Sequence, residues 1–261
     1  MKRYSTVHPL AMSFFSPKVY RDIAYSWRGA CILYLLILVA ITQAPNALIF
    51  HRGVRKFVRT EAPLLVAQIP RMSFKGGELT TDEKRPYEIR DPKSGDLIAI
   101  VDTSGATTSL DGRAALVLFT AHQVFLKHGS SRIQVISYAK NADFTVTRGR
   151  VIRVLGWIER YAAAVLYLHS VLFVLIYRLL QALIFSLAAL AFAKIVRARL
   201  SYGALYRITA AAMTPALIVG AIRNTIGTPA PAAPYALFLF LALVLGYLIF
   251  AVKACTAGEA Q

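Results

Sequence analysis

The sequence predicts a membrane α-helical bundle of four spans, N-in and C-in, with an inserted extracytoplasmic α+β domain built on an antiparallel sheet. Three observations predict it. Apolar residues are 57% of the 261 and charged residues only 16%, where a soluble domain carries about a quarter charged, and the mean hydropathy is +0.53. The apolar residues gather into long runs on either side of residues 51–160. That intervening stretch alternates strand-like segments with turn chemistry. A single soluble globule is therefore excluded. The apolar content excludes disorder, and two cysteines exclude a disulfide-rich scaffold. Thirty Lys and Arg against 13 Asp and Glu give +17, too basic for an average enzyme.

The first span is read over 29–50, after an amphipathic N-terminal segment, 1–28. Its 21-residue run Ala30–Phe50 would rise roughly 31 Å, a hydrocarbon core's thickness. Pro45 and Asn46 lie near its far end, where a kink costs least. The long N-terminal segment and the missing small-x-small site favour an uncleaved anchor over a signal peptide. The run 161–193 is too long for one span, and Arg178 interrupts it, yet no Gly, Pro or polar cluster offers a turn there. One long helix is expected, with its span near Val174–Ala193 and Arg178 snorkelling to the headgroups.

A basic loop, 194–207, leads to a third span, 208–226, in which Ala212, Ala216 and Gly220 recur at the spacing that lets membrane helices approach closely. The Pro-rich loop 227–234, the fourth span 235–252 and a tail, 253–261, complete the chain. Lys2, Arg3, Lys18, Arg21 and Arg28 face only Asp22 before the first span, and Lys194, Arg197, Arg199 and Arg207 face no acid. The positive-inside rule then puts both termini in the cytoplasm and 51–160 outside.

In the outer domain, HRGVRKFVRTEAPLLVAQIP reads as a helix ended by Pro70. SFKGGELT reads as a hairpin around Gly76-Gly77, and YEIR and LIAIVDT flank the turn DPKSGD. AALVLFT, QVFLK, RIQVISYA and FTVTRG continue the strands, and RVIRVLGWIERY returns to helical periodicity. Cys31 and Cys255 fall at cytoplasmic span ends, so no disulfide framework is expected.

FFSPKVYRDIAY before the first span, IPRMSFKGGELT after it and LIAIVDTSG, in this order, resemble a bacterial membrane family labelled domain-of-unknown-function eleven-eighty-nine. Some of its members are named maltodextrin-utilisation membrane proteins from operon context. The resemblance covers most of the chain and implies a bacterial integral membrane protein, but it brings no catalytic residues with it.

Asp102-Thr103-Ser104-Gly105 invites comparison with an aspartic-protease loop, but Ser104 intervenes and no second copy exists to share a proton. The sequence favours a strand-end turn over a ligand-binding loop. On that reading Asp102→Asn keeps much of the function and Asp102→Ala lowers stability. His8, His51, His122, His128 and His169 are scattered, and no metal site or cofactor is expected.

Arg178, Gln181, Arg223 and Asn224 are polar positions inside the spans, read as snorkelling groups or as a substrate path. Arg52, Arg55, Lys56 and Arg59 leave the first span, while Arg148, Arg150, Arg153 and Arg160 approach the second. This basic collar suits anionic lipid or an acidic envelope partner. Nucleic acid does not fit, because basic readers of that kind belong in the cytoplasm. Two function classes result. One is an inner-membrane accessory or binding protein whose outer domain contacts an envelope component or anionic lipid. The other is a small membrane-embedded enzyme or transporter subunit acting on lipid-linked or sugar substrates, which polar groups gathered in one cavity would favour.

Overall fold

In the computed structural model, residues 4–27, 29–83, 86–129, 132–227 and 233–256 are described. Most of the Pro-rich loop 227–234, part of the HGSS turn, and the tail beyond Thr256 lie outside them. The chain divides into a helical unit, 1–50 with 163–261, and a sheet-bearing unit, 51–162. Among the described residues, four helical segments are long and apolar enough to cross a membrane: Cys31–Val66, Arg148–Ile195, Tyr202–Ile226 and Tyr235–Thr256.

The helical unit begins with α1 (Pro9–Met12) and α2 (Pro17–Ser26). Both carry proline in the first turn, where its missing N–H costs nothing. Val19, Tyr20, Ile23, Ala24 and Trp27 recur at helical spacing and are all buried, so one stripe of α2 joins the core. They meet Tyr34, Leu35 and Leu38 of α3 (Ala30–Lys56), Leu205 and Ile208 of α6 (Tyr202–Ala212), and Val244 and Leu248 of α8 (Ala233–Thr256).

Two arginines fasten this packing at helix ends, where carbonyls lack intrahelical donors. Arg21 Nε donates to Ala254 O at 2.6 Å. Arg207 Nη2 donates to Ala24 O at 2.5 Å, and its Nε to Ile23 O at 3.3 Å. The basic residues that set the charge pattern therefore also cap α8 and α2. Cys31 and Cys255 are both buried in the same unit and form no disulfide.

The residues from Arg148 to Ile195 form one continuous helix of 48 residues, α5, about 72 Å long. The expected span 208–226 falls within the segment Tyr202–Ile226, in which α6 and α7 (Thr214–Ile226) adjoin at Met213. The reason for the junction is Pro215, which removes the N–H that would continue the α6 ladder. Ser201 caps α6 by accepting from Ala204 N, and Gly227, at φ 76°, ends α7 in the left-handed conformation. Ala212 and Ala216 are buried as the small-residue stripe requires. A Cβ on Gly220, however, would meet nothing within 4 Å.

In the sheet-bearing unit, the chain leaves α3 through a π-helical turn, Phe57–Glu61, and α4 (Ala62–Val66). β1 (Met72–Lys75) and β2 (Glu78–Thr81) form the hairpin read from Gly76-Gly77, both of which have positive φ. β8 (Asp143–Val146) pairs with the other side of β1, giving an antiparallel three-stranded sheet ordered β2-β1-β8. Phe74 stacks on Phe144 at 4.7 Å and takes the edge of Tyr138 at 5.0 Å.

The second sheet is ordered β3-β4-β5-β6-β7, with β3 (Tyr87–Arg90), β4 (Leu97–Asp102), β5 (Val117–Thr120), β6 (Gln123–His128) and β7 (Arg132–Ser137). Its pairs β3–β4, β5–β6 and β6–β7 are antiparallel, as expected, but β4 and β5 run parallel, with Ile100 opposite Leu118. Parallel neighbours cannot be joined by a tight hairpin and need a crossover of about a dozen residues or more. Residues 103–116 are that crossover, and its Leu110 and Ala115 bury with Ile100 and Leu118. Val101 and Ala99 face the opposite cluster, with Met72, Phe74 and Leu79. β4 is thus buried on both faces, and Asp102 lies where it hands the chain to the crossover.

Candidate functional site

The principal site lies in the helical unit, in a cavity of about 310 Å³ between α3, α5, α7 and α8. All four polar positions singled out in the spans, Arg178, Gln181, Arg223 and Asn224, line it. Thr42, Gln43 and Asn46 of α3 join them, three positions to which sequence reasoning assigned no site. Their signal was present in TQAPN, where polar side chains at Thr42 and Asn46 fall one helical turn apart in an apolar run. Proline and asparagine there were read only as a kink.

The cavity's electrostatics are one-sided. Arg178 donates through Nη1 to the Gln181 amide oxygen, and its Cζ lies 5.2 Å from the ring centroids of both Tyr177 and Phe240. Arg223 Nη2 donates to Asn224 Oδ1 at 3.3 Å. The Nε atoms of both arginines are buried without a hydrogen-bond partner. Among the described residues, no Asp or Glu lines the cavity. Arg178 is therefore held by a neutral amide and ring faces and Arg223 by a neutral amide, which offset a guanidinium charge less well than an anion would.

The Asp102 loop is a different kind of place. Asp102 is 1% exposed. Its Oδ1 accepts from Ser104 N at 2.8 Å and Ser104 Oγ at 2.6 Å, and its Oδ2 accepts from Thr107 N at 2.5 Å. Burial pushes the carboxyl's pKa up, but the Ser104 and Thr107 donors outweigh it and hold the carboxyl below its ordinary value. Gly105 supplies the positive φ, 81°, that the turn requires. Asp102, Thr103, Ser104 and Gly105 line a shallow hollow with Thr120, His122 and Gln123. Thr120 and Gln123 are already bonded to each other there. The Asp102 carboxylate begins the crossover and ties it to its own loop through both oxygens. Among the described residues, no three His, Cys, Asp or Glu side chains gather as a metal site would require.

The collar residues divide by partner. Arg59 Nε lies 2.8 Å from Glu159 Oε1 and Arg55 Nε 3.8 Å from it, while Arg148 Nε donates to Ile69 O at 3.2 Å. Exposed bridges of this kind contribute about 0–1 kcal/mol each. Arg52, Lys56, Arg150, Arg153 and Arg160 are exposed. On α5, Arg153, Gly156, Trp157, Arg160 and Tyr161 recur at helical spacing and border one shallow hollow. Trp157 is 65% exposed and lies 5.4 Å, ring to ring, from Tyr161.

Fold and site thus define a class: a helical unit with segments long and apolar enough to cross a membrane, interrupted by a sheet-bearing unit. The chain belongs to the family described as protein of unknown function DUF1189, which matches residues 7–252. No curated protein and no solved structure matches it.

Proposed function

We propose that the chain is a bacterial inner-membrane accessory or binding protein. In this reading four spans place both termini in the cytoplasm and residues 51–160 outside, where the basic collar engages anionic lipid or an acidic envelope partner. The observation that carries it is the exposed face of α5 bearing Arg153, Trp157, Arg160 and Tyr161. Arginine beside tryptophan and tyrosine suits a membrane–water interface, where rings settle at headgroup depth and cations meet anionic lipid.

Replacing Arg52, Arg150, Arg153 and Arg160 by Gln should weaken binding of the purified chain to phosphatidylglycerol-containing nanodiscs relative to zwitterionic ones. Each juxtamembrane cation contributes about 1 kcal/mol, so the loss should shrink as salt rises. Binding that is unchanged by the four substitutions at low salt would overturn the collar's role. Arg55, Arg59 and Arg148 are left out because they already hold Glu159 or Ile69.

The topology is tested separately. A cysteine placed at Lys93 should react with an impermeant thiol reagent in intact spheroplasts, and one at Arg199 should not; the reverse pattern would invert the assignment. The native Cys31 and Cys255 are buried and leave the readout clean. A second reading, a transporter or enzyme subunit for lipid-linked substrates, is favoured by the polar groups gathered around Arg178 and Arg223. Transport or turnover by the chain alone in liposomes would establish it.

A further inference from the structure

The geometry points to a binding site for a phosphate-type oxyanion, carried on an anionic lipid headgroup, in the cavity between α3, α5, α7 and α8. This site is independent of the collar, which belongs to the other unit of the chain.

The first argument is charge. Arg178 and Arg223 line one cavity, and among the described residues no carboxylate joins them and each keeps a buried Nε with no hydrogen-bond partner. A guanidinium with a buried, unfilled donor is costly in low dielectric unless an anion completes it. Guanidinium presents its donors as a planar fork that matches two oxygens of a phosphate, and a charge-assisted pair is roughly twice as strong as a neutral one. The amide oxygens of Gln181 and Asn224 each take one Nη donor. They hold the arginines in position and leave further donors over.

The second argument is shape. A cavity of about 310 Å³ falls at the small end of ligand sites, about 300–1,000 Å³, which suits a headgroup better than a whole lipid. Its wall continues from the polar cluster onto Val174, Leu237 and Leu243. Leu237 is 59% exposed, so the apolar side of the cavity leads outward, as an acyl chain attached to a bound headgroup requires. Gly220 forms part of the wall, with open space where a Cβ would stand. Glycine there keeps the volume free. Thr42, Gln43 and Asn46 provide neutral hydrogen-bonding groups for glycerol or sugar hydroxyls on the same headgroup.

The test uses the delipidated full chain in mild detergent, with native mass spectrometry and thermal unfolding as readouts. The probes are phosphatidylglycerol, phosphatidylcholine of the same chains, and inorganic phosphate. The parent should hold one phosphatidylglycerol more tightly than phosphatidylcholine. Arg178→Gln and Arg223→Gln should each weaken it about tenfold or more. Gly220→Leu should fold normally and lose the same bound lipid by filling the cavity.

The double variant Arg178→Met/Arg223→Met should melt no lower than the parent without lipid, because two unsatisfied charges have been removed, yet gain no stability when phosphatidylglycerol is added. If millimolar inorganic phosphate displaces the lipid and itself protects the parent, the oxyanion site stands and a soluble phosphate can fill it. If phosphate does neither, the lipid is the source. Parent-like phosphatidylglycerol affinity in both Gln variants and in Gly220→Leu would overturn the site. The collar variant with four Gln substitutions should retain this one tight lipid, so failure of either site is read independently of the other.

Discussion

Asp102→Asn is expected to destabilise the sheet-bearing unit almost as much as Asp102→Ala, by about 2–4 kcal/mol. From sequence alone the Asn variant looks mild, since an amide oxygen can still accept a turn hydrogen bond. The structure overturns that expectation, because both carboxylate oxygens are in use, on opposite sides of the group. Oδ1 takes the Ser104 N–H and hydroxyl, and Oδ2 takes the Thr107 N–H. Asparagine can supply an oxygen on one side only and must set its NH2 against a backbone N–H on the other. A buried donor facing a donor loses the bond and keeps the desolvation cost.

The readout is local as well as global. Amide exchange at Ser104 and Thr107 should accelerate in both variants of the full chain, alongside a lower melting temperature. An Asn variant with parent-like exchange and melting would sink the assignment.

The same carboxylate gives a pH dependence of known sign. Its pKa in the fold lies below the ordinary value, so its contribution is fully present above the unfolded-state pKa of about 3.9. It is lost as pH falls through the folded value. The parent's melting temperature should therefore drop on acidification below about pH 4. Asp102→Asn, already without the charge, should show a flatter profile over that window. Parallel acid profiles for parent and variant would contradict it.

The helices were legible because long apolar runs leave few alternatives, and α5 was read as continuous from the lack of any breaker near Arg178. The irregularity at Met213, inside the segment Tyr202–Ile226, was not legible because the apolar average over 208–226 conceals one residue, Pro215, whose effect is stereochemical. The strands were legible from alternation and from Gly76-Gly77 and DPKSGD. The parallel pairing of β4 with β5 was not, since an apolar strand reads alike whichever way it pairs. Only the length of 103–116 hinted that β5 returns parallel to β4. At the cavity, Arg178 and Arg223 were visible as charges out of place. That they share one cavity with Thr42 and Asn46 depends on helix rotation, which packing of the alanine-rich α6 and α7 decides.

Trp27→Ala should release the N-terminal helices from the helical unit, at a cost of about 3–5 kcal/mol. Trp27 is 1% exposed at the end of α2. Its ring meets Tyr34 of α3 edge-on at 5.8 Å, and its Nε1 donates to Asp22 Oδ2 at 3.2 Å. Asp22 also accepts from Tyr4 N at 3.2 Å, so the same carboxylate ties the chain before α1 to α2. Truncation opens a void beside Tyr20, Ile23 and Leu35 and removes one donor from a mostly buried carboxylate. Trp27→Phe keeps an aromatic ring in the core and gives up the Nε1 donor, so it should cost about 1–3 kcal/mol. Limited proteolysis of the detergent-purified chain checks the mechanism. Cleavage between Tyr4 and Trp27 should be fast in the Ala variant, intermediate in the Phe variant and slow in the parent. Equal rates in all three would mean that α2 is held by the Arg21 bond to Ala254 and the Arg207 bonds to Ile23 and Ala24, with Trp27 contributing little.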